Sequence, residues 1–184
     1  MLRNTIWRST IYLFLLAMMV FFIVQFFFKD QNYFQISDFQ YILTTGVSNS
    51  FVITTLFAIV AAYNMLKWDG NKSSSFWNIF KLSFIPGVLA GFFTLISVFA
   101  WYEYVDPAGI EQLKTEYLDY SLLQAKDNEA YEEVEKVVNS KEVRGTNLLS
   151  FRTFTLILGI VIFFNLSLAL MVTFLWKIRN SPRR

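Results

Sequence analysis

Leu82–Tyr102 reads LSFIPGVLAGFFTLISVFAWY and holds no charged residue; Lys81 precedes it and Glu103 follows. A helix rises 1.5 Å per residue and the hydrocarbon core of a bilayer is about 30 Å thick, so roughly 20 apolar residues cross it. As helix, the step from Lys81 to Glu103 is about 33 Å, which lets each charge reach its own interface. Trp101 and Tyr102 close the stretch with rings suited to the headgroup level. The pattern predicts a membrane span over 81–103.

Three more apolar stretches flank it, at approximately 9–28, 44–66 and 153–176. Gln25 is the one strongly polar member of the first, and Asn165 interrupts the last. Arg3 and Arg8 give the first stretch a basic start like that of a signal peptide. No small-x-small cleavage site follows Phe26-Phe27-Phe28, so an uncleaved helix is expected. The stretch at 44–66 is more polar, with Ser48, Asn49, Ser50, Thr54 and Thr55; a re-entrant or interfacial helix is its alternative reading. The expected fold is all-α: a polytopic membrane protein with four transmembrane helices and an extracytoplasmic helical insertion, 104–152, between helices three and four.

Composition agrees with that class. The chain is 55% hydrophobic and 19% aromatic, against roughly 45–50% apolar for a soluble domain. It has no cysteine, which excludes disulfides and thiol nucleophiles. It has no histidine, which removes the commonest general base and metal ligand. A net charge of +2 is too small to suggest nucleic acid. No phosphate loop, zincin or nucleophile-elbow pattern occurs, so no catalytic, cofactor-binding or metal residue is expected.

The basic residues are sorted by loop. Arg3 and Arg8 precede the first span; Lys67, Lys72 and Lys81 border the loop between the second and third; Lys177, Arg179, Arg183 and Arg184 follow the fourth. Short Lys/Arg-rich flanks stay in the cytoplasm, so both termini are expected there. Trp7, Trp68, Trp77 and Trp176 fall at the four inner ends and Trp101 at an outer one, as interface anchors.

Within the spans, Ser83, Gly87 and Gly91 recur at four-residue steps beside Pro86. Small residues at that spacing let helix backbones approach closely. Packing within the same chain is the preferred reading; a homo-oligomer seam is the other. Gln25, Asn64 and Asn165 are intramembrane amides, read as hydrogen-bonding links between helices rather than as a substrate path. No Asp, Glu or Arg falls mid-span, which counts against ion-coupled transport. Glu103 and Asp106 are read as a topology anchor and a helix cap, not as a catalytic pair.

Eleven of the 14 acidic residues lie between Glu103 and Glu142. Asp106-Pro107 predicts a helix start. Ile110, Leu113, Tyr117 and Tyr120 then form one apolar stripe. A second helix is expected with Tyr131, Val134, Val137 and Val138 on one face, ended by Arg144-Gly145-Thr146-Asn147. A solvated hairpin packed on itself and on headgroups is the plain reading, and a docking surface for a protein partner the sharper one.

Ser75-Phe76-Trp77-Asn78-Ile79-Phe80-Lys81 leads into the glycine-bearing span, Trp101-Tyr102 and Asp106-Pro107 follow it, and a final span ends in a basic tail. This order resembles an uncharacterised bacterial membrane family, domain of unknown function 4199, found mostly in Bacteroidota. The resemblance implies four spans in a bacterial inner membrane, and no activity, cofactor or catalytic residue. The expected function is a non-enzymatic, partner-binding or scaffolding membrane protein. Two alternatives stand: a small transporter or lipid-handling protein, or a membrane subunit for an enzyme acting on a lipid-linked substrate, with Lys67, Lys72 and Lys81 near the phosphates.

Overall fold

The computed structural model describes residues 2–28, 53–68, 75–126 and 131–180. Among these the secondary structure is helical, with no strand. The helices are α1 (Leu2–Phe28), α2 (Ile53–Trp68), α3 (Phe76–Tyr104), α4 (Pro107–Ala125), α5 (Tyr131–Val138), α6 (Lys141–Arg144) and α7 (Phe151–Asn180). Three of them, α1, α3 and α7, are long and apolar enough to cross a membrane. Each extends past the expected span at the end bearing the basic flank, because polar flanking residues continue the helix beyond the apolar run. The expected second span corresponds to α2 over 53–66; its part at 44–52 lies outside the described residues, as do Lys72, Arg183 and Arg184.

Side-chain pairs fix the directions of the helices. Leu13 of α1 clusters with Ala90 of α3 and Phe57 of α2. Further along, Gln25 of α1 meets Tyr102 of α3. The partner numbers rise together, so α1 and α3 are parallel. Asn64 of α2 meets Ser9 of α1, whereas Phe57 meets Leu13, so α2 is antiparallel to α1. Gly87 faces Asn165 and Gly91 faces Val161, so α7 is antiparallel to α3. The result is an up-down-up-down bundle of α1, α2, α3 and α7.

α3 is its central member, packing on α1, α2 and α7. Its buried face carries Ile79, Leu82, Ser83, Pro86, Gly87, Ala90 and Gly91. That run mixes large and very small side chains, so neighbouring backbones come close beside the glycines. α7 lies at the periphery: 17% of its most apolar window is buried, against 39% for α1 and for α3. Leu156, Ile160, Phe163, Phe164 and Met171 are among its exposed side chains. An exposed face of that kind suits lipid, which forms no hydrogen bonds with it and asks for none.

α3 ends where Asp106-Pro107 begins. The backbone N–H groups of Val105 and Asp106 both donate to Trp101 O. Asp106 then caps α4, its carboxylate accepting from Gly109 N at 3.1 Å, with Pro107 in the first turn as expected. α5 turns back on α4, and α6 follows. Two details differ from the sequence reading. Val137 is 59% exposed rather than inside with Val138. On a helical wheel it sits at the edge of the stripe defined by Tyr131, Val134 and Val138. In addition, Ser140 starts a further short helix, α6, by accepting from Val143 N. The side chains of Leu113, Tyr117 and Tyr120 lie outside the described residues.

Candidate functional site

The spans bury a small set of polar side chains: Ser9, Thr10, Gln25, Asn64, Ser83, Asn165 and Thr173. An unsatisfied polar group in hydrocarbon costs several kcal/mol, so the partners of each matter. Thr10 Oγ1 donates to Ile6 O at 2.9 Å and Thr173 Oγ1 to Ala169 O at 2.6 Å. Both bonds stay within one helix and need no neighbour.

The three amides picked out from the sequence each find a different solution. Asn64 Nδ2 donates to Ser9 Oγ at 2.7 Å and joins α2 to α1. Gln25 Nε2 donates to the Tyr102 hydroxyl and joins α1 to α3 near their C-terminal ends. Phe21 and Phe22 pack edge-on around that link, against Tyr102 and Trp101. Asn165 Nδ2 donates to Val161 O in its own helix at 2.9 Å, and its side chain fills the space over Gly87. A Cβ at Gly87 would lie 1.9 Å from Asn165 Oδ1, and one at Gly91 would lie 2.5 Å from Val161 Cγ1. The Ser83–Gly87–Gly91 stripe thus brings Gly87 and Gly91 against α7 of the same chain.

Four of these polar groups share one level. Leu13, Phe57 and Ala90 mark a common depth. From it, Ser9, Asn64, Ser83 and Gly87 with Asn165 lie about 5–11 Å towards the N-terminal end of α1, at 1.5 Å per residue. All are uncharged hydroxyls and amides. Ser83 Oγ is the exception in bonding: it is buried and has no hydrogen-bond partner among the described residues. A buried donor left in that state costs about 1–3 kcal/mol. Sequence reasoning singled out Ser83 for its size and missed Ser9 and Tyr102 as partners. Ser9 carried a signal, a small hydroxyl inside an apolar run; the pairing itself depends on the register between helices.

The tryptophans divide. Trp7 and Trp77 are exposed, at 48% and 63%. Trp101 packs edge-on against Phe21 and Phe22. Trp176 is expected at the headgroups, but it is buried. It shares the inward face of α7 with Asn165, Ala169, Val172 and Thr173, because eleven residues bring a helix back to nearly the same direction. The side chain of Trp68 lies outside the described residues.

The segment between α3 and α7 carries most of the acidic residues. Glu103 is exposed and Asp106 is engaged as the cap. Lys114 pairs with Glu111 at 3.4 Å. Between α4 and α6 lies a shallow, open depression of about 120 Å³ lined by Glu111, Lys114, Thr115, Leu118, Asp119 and Arg144. On α5, Glu132, Glu133 and Glu135 are exposed. No group of His, Cys, Asp or Glu suited to a metal ion occurs among the described residues.

These features define a helical protein whose long apolar helices suit a membrane, held together by amides and glycines, with a charged helical appendage at one end. The chain belongs to DUF4199, a family described as proteins of unknown function, whose model matches residues 12–177. That match spans all three amides and the glycine stripe. No curated protein and no solved structure matches the chain.

Proposed function

We propose that the chain is a four-span, non-enzymatic protein of a bacterial inner membrane that positions a protein partner through its outer helices. The directions of the helices support a fourth crossing. α1 and α3 are parallel, which, if both cross a bilayer, calls for a return crossing between them. α2, antiparallel to α1 and packed against α1, α3 and α7, is the helix suited to that return. The basic flanks Arg3, Arg8, Lys67, Lys81, Lys177 and Arg179 favour the cytoplasm for that end and for both termini.

The partner reading rests on one observation. α4 packs on α3, α5 on α4 and α6 on α5, while Glu132, Glu133 and Glu135 face solvent. A set of unshielded carboxylates on a helix anchored at one point suits a basic surface. Charge reversal, Glu132→Lys with Glu133→Lys, is expected to abolish a complex captured by mild crosslinking in intact membranes. An unchanged complex overturns this assignment of the surface. The transporter or lipid-handling reading is favoured by Ser83, whose buried hydroxyl has no partner among the described residues and lies near the level of Asn64 and Asn165. Under that reading, Asn165→Leu abolishes flux while folded protein is retained.

A further inference from the structure

We infer that Arg3, Arg8, Lys67 and Lys81 form a basic belt that selects anionic phospholipid in the leaflet at the α1 N-terminal end. The inference rests on the membrane reading but not on the outer helices or their partner. The four residues come from three helices, and the bundle brings them to one depth. Measured from the level of Leu13, Phe57 and Ala90, Arg8 lies about 7.5 Å away, Lys81 about 13.5 Å, and Arg3 and Lys67 about 15 Å. The band is therefore about 8 Å deep. Lys81 and Glu103 stand about 33 Å apart along α3, so the band falls where the hydrocarbon gives way to phosphate.

All four side chains are exposed. Among the described residues no acidic group pairs with them, since the described acids run from Glu103 to Glu142, beyond the opposite end of α3. Like charges gathered at one depth repel one another wherever they come within roughly one Debye length. A zwitterionic headgroup brings no net charge to relieve that repulsion, whereas an anionic headgroup does. Trp7, beside Arg8, is exposed within the same band and sets its indole ring at the glycerol level; Trp77, also exposed, lies about 6 Å further out than Lys81. Lys177 lies about 9 Å further out than Lys81, counted from the Gly87–Asn165 contact, and so belongs to the aqueous side of the headgroups.

The test uses the full chain in nanodiscs of phosphatidylcholine doped with head-group-labelled phosphatidylglycerol or, separately, labelled phosphatidylcholine. Energy transfer from the native tryptophans reads which lipid gathers around the protein. The wild type should prefer the phosphatidylglycerol probe, and each of Arg8→Gln, Lys67→Gln and Lys81→Gln should lower that preference about fivefold. Lys177→Gln should lower it less. Parity between the probes in the wild type, or a preference that survives the triple substitution, overturns the belt. Should the triple variant lose its helicity by circular dichroism, added salt on the wild type decides. The preference should decay as ionic strength rises, and a salt-insensitive preference sinks the inference. Release of the chain from vesicles by alkaline carbonate would instead overturn the membrane reading itself.

Discussion

Gly87 lacks a side chain because the Asn165 amide occupies the space one would need. Gly87→Ala should destabilise the bundle by about 1–3 kcal/mol, the usual cost of overpacking, in reversible unfolding in mixed micelles. Gly87→Ala combined with Asn165→Ala should recover much of that loss, since removing the amide makes room for the methyl. A double variant no better than Gly87→Ala alone would mean that the two positions do not meet. The Asn64–Ser9 bond is weaker in consequence. Ser9→Ala and Asn64→Leu should each cost about 0.6 kcal/mol, and the pair less than their sum, because polar links in membranes compete with alternative partners. Both glycines and all three amides stood out in the sequence by residue type. Their pairings did not, because no spacing relates position 87 to position 165 until two antiparallel helices have a register. Trp176 shows the same limit from the other side. An aromatic belt is a statement about depth, and it does not say that Trp176 faces into the bundle.

At the scale of elements, helix starts were more legible than helix contents. Asp106-Pro107 announced α4, and the carboxylate does accept from Gly109 N. Asp106→Ala should cost about 1 kcal/mol and speed hydrogen exchange at the Gly109 amide, leaving amides in the middle of α7 unchanged. Equal protection at Gly109 in both proteins would remove the cap from the account. α6 escaped notice because four residues carry almost no periodic signal; the hydroxyl of Ser140, which caps it, was its one local cue. Val137 was misplaced because a stripe of valines at three- and four-residue steps spans more arc than one face buries. The spans themselves were legible because lipid imposes length and apolarity together.

For the whole molecule, the decisive relation is that α1 and α3 run in the same direction. Where two parallel helices of one chain both cross a bilayer, a return crossing lies between them, which is the reading proposed for α2. The sequence alone left a re-entrant second helix open; the Gln25–Tyr102 and Leu13–Ala90 pairs, twelve residues apart on both helices, weigh against it. The chain has no native cysteine, so single introduced thiols report cleanly. Glu142→Cys should react with a membrane-impermeant maleimide in intact cells. Lys67→Cys and Lys177→Cys should react only after permeabilisation, because α2 and α7 end on the same side as the start of α1. Labelling of Lys67→Cys in intact cells would mean that α2 does not return to the inner face. The parallel arrangement of α1 and α3 could not then stand either, since a chain that has crossed once must cross back before it can cross again in the same sense.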